Sequence, residues 1–350
     1  MERGIELTYQ REFKQRLSVA VIGAGNHAYR NIIPCLHHLP VRLQAICDLN
    51  EELARETAGQ FGCRAYMNPA DLFEQEELDA VFLCVSPKLH PYLAMEAFEA
   101  GVHVWMEKPV SMRAYEVERM IEKRSGLVSV AGFKKAFMPS TEKAIEIAHS
   151  DSYGNLQSML AVYPMSIPDH GREVLESGQF TDWLGNGVHP LSLMLAVGGD
   201  VEAVTVHHSR SGRGVCLLDF AGGAVGNFHM ASGPHPIERY SFYGNNWHLE
   251  IENSLRVTLQ RGIPHEYNKT WNYVPEGTDT GAIVWEPQNH LATLENKALF
   301  TQGMYGEMKY FCDCILEGRQ PQRGSLEFAL KLMKVYEAAL LSNGKTIAIN

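Results

Sequence analysis

LSVAVIGAGNHAYRNIIPCLHHL, residues 17–39, sets an apolar run, a glycine-rich turn and a helical pattern in immediate succession. Leu17–Ile22 reads as a buried strand, and the pattern from His27 onward as the helix after it. Between them lies Gly23-Ala24-Gly25-Asn26-His27-Ala28, a G-x-G-x-x-A match. Gly23 permits a tight turn, Gly25 lets backbone approach a pyrophosphate, and Ala28 allows close helix–strand packing. The helix N-terminus then offers N–H groups and partial positive charge to phosphates. Gly23, Gly25, Asn26 and His27 are therefore the turn's candidate cofactor contacts. Asp48 ends the next apolar run, LQAICD. A carboxylate there bonds ribose hydroxyls and repels a 2′-phosphate, and no Arg or Lys follows at Leu49 or Asn50, so NAD is expected over NADP. A second role for Asp48 is the N-cap of the helix beginning near Glu51.

Outward from this unit the alternation continues. DAVFLCV (79–85), HVWME (103–107) and LVSVAG (127–132) read as strands, with helices over NEELARETAGQFG, PYLAMEAFEAG and RAYEVERMIEKRSG. Continuous apolar strands separated by helices imply a parallel sheet covered on both faces. The second half changes character. Helices near 140–149 and HPLSLMLAVGG accompany a series of strands, QSMLAVY, VEAVTVHHS, VCLLDF, AVGNFHM, RYSFYG, HLEIE and LRVTLQ, with turn signals between the later ones. This predicts a mostly antiparallel sheet, followed by helices near 304–317 and 325–342. The expected fold is α/β: a doubly wound parallel sheet over 17–135, a second α/β domain with a large open sheet over 136–350, and a charged arm over 1–16.

Composition narrows the partners. With 31 Lys+Arg against 41 Asp+Glu the net charge is −10, which disfavours nucleic acid and anionic membranes. No apolar run is long enough to span a bilayer. The seven cysteines contain no CxxC pair, and Cys312 and Cys314 would diverge by about 200° on a helix, so reduced, buried thiols in a cytoplasmic protein are expected. The pairs His37-His38 and His207-His208 lack metal-ligand spacing, and no metal is expected.

Four stretches together make the sequence similar to the Gfo/Idh/MocA family of oxidoreductases. They are the glycine-rich turn; Cys84-Val85-Ser86-Pro87-Lys88-Leu89-His90; Gly101-Val102-His103-Val104-Trp105-Met106-Glu107-Lys108-Pro109, which matches G-x-H-V-x-x-E-K-P; and Gly187-Val188-His189. Glu307, Phe311, Ile315, Gly318-Arg319 and Gly344-Lys345 match the family's ending. The resemblance implies a Rossmann domain, nicotinamide at the carboxyl ends of the parallel strands, and Ser86, Pro87, His90, Glu107, Lys108 and Pro109 around it. It also implies a homodimer or homotetramer through the second sheet, and a small-molecule substrate.

Oxidation of a secondary alcohol needs a hydride acceptor and a base for the hydroxyl proton. Lys108, after an apolar strand, is the first candidate base, because partial burial would depress its proton affinity. His189 is the second, since similar family members place a His beside the substrate hydroxyl. The family's D-x-G-x-H-x-x-D pattern is broken here: Gly185 and Ser192 stand where Asp is usual, and Asp182 or Asn186 is the nearest replacement. Lys135, Tyr163 and Arg172 are further candidate substrate contacts, the two cations suiting an acidic or phosphorylated sugar. The leading expectation is an NAD-dependent dehydrogenase of a sugar, cyclitol or sugar derivative. The alternatives are a redox-assisted glycosidase or eliminase with tightly held NAD, and a dinucleotide-binding regulatory protein without turnover.

Overall fold

The computed structural model describes residues 12–233, 237–262, 267–268, 281–287 and 298–349; residues 1–11 of the expected arm lie outside them. The chain forms two compact units, Met1–Phe137 with Gly178–Phe180 and Lys297–Lys334, and Met138–Ser177 with Thr181–Asn296 and Val335–Asn350.

The first unit is built on β1 (Leu17–Ile22), β2 (Val41–Cys47), β3 (Arg64–Tyr66), β4 (Ala80–Leu83), β5 (His103–Glu107) and β6 (Ser129–Gly132). They pair in the order β3-β2-β1-β4-β5-β6, all parallel. This is the expected doubly wound sheet. Its order reverses between β1 and β4, which opens a crevice outside the strands' carboxyl ends. The strands are continuously apolar because both faces are covered: Val19, Val21, Val81, Phe82, Val104 and Trp105 have no exposure. Short strand β3 and the helix Pro69–Gln75 fill a stretch that sequence periodicity leaves unassigned, although Asn68 caps that helix and Pro69 opens it.

The helix Met304–Leu316 departs from the sequence-based division. It follows the second sheet along the chain, yet its apolar face joins the first unit's core. Met308, Phe311 and Cys312 pack there with Val130 and Trp105, and the Phe311 ring meets that of Phe82 at 5.7 Å. A sheet buried on both faces needs this cover, and the periodicity of a helix does not reveal which sheet it covers.

The second unit contains β7 (Leu156–Pro164), β8 (Val201–His208), β9 (Gly214–Phe220), β10 (Val225–Ala231), β11 (Arg239–Gly244), β12 (Trp247–Glu252), β13 (Arg256–Gly262), β14 (Gly281–Trp285) and β15 (Ile347–Ala348). Their order is β14-β13-β12-β11-β7-β10-β9-β8-β15, antiparallel except for the β7–β10 pair. Met159, Ala161, Phe228 and Met230 are buried on the inner face. The helix Val188–Gly198 lies against it so closely that a Cβ on Gly226 would meet Met194 Cε at 2.9 Å.

Replacing Phe311 by Ala should remove about 3–5 kcal/mol, the usual cost of emptying a core aromatic site. Urea unfolding followed by circular dichroism measures it. A loss under about 1 kcal/mol would mean the helix is not part of this core.

Candidate cofactor and active site

The glycine-rich turn leaves β1 with Gly23 at φ +95°, a conformation that L side chains rarely adopt. A Cβ there would stand 2.4 Å from the Cys84 carbonyl oxygen, so β1 and β4 emerge side by side only with glycine. Gly25 differs: it is exposed and its Cβ position meets nothing within 4 Å. The open space above its backbone fits a pyrophosphate. Asn26 and His27 are also exposed, and no side chain caps the wide first turn Ala28–Ile32. Tyr29 N already donates to the Gly25 carbonyl at 3.0 Å, so the N–H groups an anion could meet are those that precede it.

Asp48 holds this turn in place. Its Oδ2 accepts from Ala24 N at 2.8 Å and its Oδ1 from Asn50 N at 2.9 Å. The helix cap is Asn50, whose side chain accepts from Leu53 N. Asp48 thus does not cap the helix; it stands half-buried at the end of β2, as a ribose-binding carboxylate must. The set formed by Gly23, Gly25 and Asp48 fits a dinucleotide.

At the end of β5, Glu107 is buried and takes two contacts. Its Oε1 lies 2.8 Å from His27 Nε2, and its Oε2 accepts from Lys108 N at 3.0 Å. Asn31 Nδ2, which can only donate, lies 3.1 Å from His27 Nδ1, so Nε2 carries the proton given to Glu107. The glycine-rich turn and the Glu107-Lys108-Pro109 turn are thereby joined. Burial lowers the proton affinity of Lys108 below that of an ordinary lysine; Lys134 pushes the same way, while Glu107 and Glu307 oppose it.

The other residues expected around the nicotinamide divide. Ser86 is exposed and Pro87 half-buried on the loop after β4. His90 has no exposure; its Nδ1 donates to the Pro109 carbonyl at 3.0 Å, and burial pushes it down to about 4. Instead of lining the crevice, it is a neutral clasp beneath the Lys108-Pro109 turn. Lys135 is also relocated. It is 4% exposed and donates to Gln302 Oε1 at 3.0 Å, so it does not present charge to a substrate. Lys134, its neighbour, is the one coupled electrostatically to Lys108.

The second unit carries its own polar cluster. His189 is 6% exposed in the first turn of Val188–Gly198, and its N donates to the Asn186 carbonyl. Asp182 Oδ1 accepts from Asn186 Nδ2 at 2.7 Å, and Oδ2 accepts from Ser166 N at 2.8 Å. Ser192 donates to the His189 carbonyl at 2.8 Å, so the hydroxyl in place of the usual Asp is spent on the helix backbone. Gly185 is buried in the turn between Asp182 and Asn186. Gly187 is required, because a Cβ would meet Trp183 O at 2.5 Å. Tyr163 remains a phenol: burial, then Glu238 and Asp182, push it up to about 12.

A cleft of about 260 Å³ is lined by Ser166, Asp169, Thr181, Asp182, Arg210 and Ser211, among others. Arg172 is exposed on Gly171–Ser177 and is not part of this wall; the cation here is Arg210. Arg210, Ser166 and Thr181 escape sequence reasoning because they lie in turns without a motif. Among the described residues no cluster of His, Cys, Asp or Glu is arranged to hold a metal, and no helix is long and apolar enough to cross a membrane.

The parallel sheet, the glycine-rich turn and the carboxylate ending β2 define a Rossmann dinucleotide-binding domain. Residues 17–131 match the model of the oxidoreductase family with an NAD-binding Rossmann fold, Gfo/Idh/MocA. A myo-inositol 2-dehydrogenase of Thermotoga maritima is 34% identical over 115 residues, 32% of this chain and 34% of that protein. A dTDP-3,4-didehydro-2,6-dideoxy-alpha-D-glucose 3-reductase of Streptomyces violaceoruber is 28% identical over 216 residues, 59% of this chain and 62% of that protein. The chain thus covers less than two thirds of either relative's length. An oxidoreductase from Agrobacterium radiobacter, solved with NAD+, L-tartaric acid and magnesium, superimposes with a TM-score of 0.78 at 18% identity, over 96% of this chain and 99% of that one. That likeness is one of fold.

A ribose seated at Asp48 predicts that Asp48→Ala weakens NAD by about tenfold while leaving NADP affinity unchanged or improved. Titration of the two dinucleotides by calorimetry measures this. Equal weakening would place the ribose elsewhere.

Proposed function

We propose that the protein is an NAD-dependent dehydrogenase that interconverts a secondary alcohol and a ketone on a sugar, cyclitol or sugar derivative. The observation that carries this reading is Lys108. Its amine has a lowered proton affinity and its backbone is held by Glu107, at the carboxyl edge of a sheet built for a dinucleotide. Bound nicotinamide would supply the hydride acceptor. The chain supplies the base: neutral Lys108 takes the hydroxyl proton and becomes an ammonium.

Asp48 and the lack of an adjacent cation favour NAD over NADP. His189 is the second catalytic candidate, and Tyr163, Asp182 and Asn186 support a role in holding substrate hydroxyls. The cleft's alternating donors and acceptors suit a polyol, as do the inositol and deoxysugar named for the two relatives. Arg210 adds a place for a carboxylate or phosphate. Gly185 favours a second reading in one respect. Without a carboxylate there, net oxidation loses one usual acceptor for the released proton, whereas in a redox-neutral elimination or glycosidic cleavage with tightly held NAD the hydroxyl proton taken in the oxidation is returned in the re-reduction.

The unbridged thiols support a cytoplasmic setting. The outer face of the second sheet carries Leu160, Val162, Val215 and Leu217, each half-buried in the single chain. Register sets Leu160 and Leu217 on either side of Asn227, and Val162 and Val215 on either side of His229. Two half-buried apolar patches, one on each side of Asn227 and His229, support a homodimer or homotetramer formed through the sheet.

Lys108→Met should lower kcat/KM for alcohol oxidation by about 10²- to 10⁴-fold, the usual worth of a general base, with NAD affinity within a few-fold of the parent. Unimpaired turnover would refute the assignment. The pH dependence has a definite sign. A base must be unprotonated, so the parent's kcat/KM rises with pH through the Lys108 midpoint. Burial sets that midpoint below the ordinary lysine value, so the rise begins at lower pH than a free amine allows. A Lys108→Met profile that retains this rise would assign it to another group.

A further inference from the structure

At the amino ends of the parallel strands, away from the dinucleotide crevice, the first unit holds a hollow of about 570 Å³. Arg16 stands just before β1, Arg42 and Leu43 lie on β2, and Phe61 ends the helix Glu51–Phe61. The helical stretch after β1 supplies Ile33, Pro34, Leu36 and His37. The six residues of β1, about 20 Å of strand, separate this end of the sheet from the glycine-rich turn. The helical stretch accounts for the hollow because it is short: a wide turn at Ala28–Ile32, then one regular turn at Ile33–Leu36. It leaves Leu43 half-buried on a strand whose Val41 and Ala45 have no exposure, and Phe61 39% exposed.

We propose that this hollow is a second ligand site, for an amphipathic anion: an apolar ring or chain that ends in a carboxylate, sulfonate or phosphate. Its size and its mostly apolar wall with a few polar groups are those of a small-molecule site, which spans roughly 300–1,000 Å³. The guanidiniums set the sign of the ligand's charge. No Asp or Glu lines the hollow, and among the described residues no carboxylate pairs with Arg16 or Arg42, in a chain of net charge −10. An Arg fork takes a carboxylate or phosphate through two parallel hydrogen bonds. The carbonyls of Pro34, Cys35 and Leu36, which at a helix end would repel an anion, accept from His37, His38 and Leu39 N. A bare hydrocarbon would strip water from two cations without replacing it, and a polyol would gain nothing from Leu43 and Phe61. The site shares no residue with the dinucleotide set and stands whether or not the protein is a dehydrogenase.

The test is a fluorescence titration of the full chain with 8-anilinonaphthalene-1-sulfonate, with and without saturating NAD, so that probe held in the crevice is recognised by its displacement. The component that NAD leaves in place should weaken roughly tenfold in Arg16→Gln or in Arg42→Gln, and further in the double variant. Phe61→Ser should weaken it several-fold through lost ring burial. Arg16, Arg42 and Phe61 are exposed, so these variants keep the fold, which circular dichroism verifies. In the parent, dodecanoate should displace this component and sulfate, an anion without an apolar body, should not. Absence of any component that survives NAD, or an unchanged affinity in the folded double variant, would overturn the proposal. Displacement by sulfate as effective as that by dodecanoate overturns it on the parent alone, whatever the variants do.

Discussion

The close approach of Gly23 to the Cys84 carbonyl is the constraint on which the first unit's chemistry depends. A doubly wound sheet makes a crevice only where neighbouring strands send their connections in opposite directions. Here β1 and β4 leave side by side, and the turn after β1 passes over the end of β4 with no room for a Cβ. That geometry brings the Gly23–Ala28 turn within reach of Asp48 on one side and, through His27, of Glu107 on the other. A side chain at Gly23 would disturb all of these contacts together.

From this arrangement follows a division of labour among carboxylates. Asp48, half-buried at the end of β2, is tied by two backbone N–H groups. Glu107 is paired with His27 and with the backbone of Lys108. Glu307, wholly buried and without hydrogen bonds, is the one whose ionisation depends on its neighbours. Lys108 stands among them with its proton affinity lowered by burial and raised by two nearby acids.

Much of this is legible in the chain. β1 and β5 begin and end where the apolar runs do, and the turn between β1 and the next helix is read directly from Gly23 and Gly25, because those positions demand particular backbone geometry. The family motif places Glu107 and Lys108 correctly at a strand end. What cannot be read depends on packing between distant segments. Nothing local tells that His90 points inward to Pro109, that Lys135 is consumed by Gln302, or that Met304–Leu316 covers the first sheet. The Asn68-Pro69 helix start is a readable signal, but one of capping chemistry, which apolar periodicity alone does not show. Asp48 and Asn50 are two residues apart, and only the hydrogen bonds show which of them caps the helix.

The missing carboxylate at Gly185 bears most heavily on the reaction. Asp182 is committed to Ser166 and Asn186, and Ser192 to a backbone carbonyl, so the local replacements already have partners. Position 185 therefore brings no carboxylate to the second unit's polar cluster. The most direct measurement is NADH formation, followed by absorbance, when the protein and NAD are offered a panel of cyclitols, sugars and sugar acids. A dehydrogenase with Lys108 as its base should accumulate NADH in proportion to substrate oxidised for at least one polyol. Tight NAD binding with no NADH from any of them, while a glycoside or sugar acid is cleaved, would contradict that assignment.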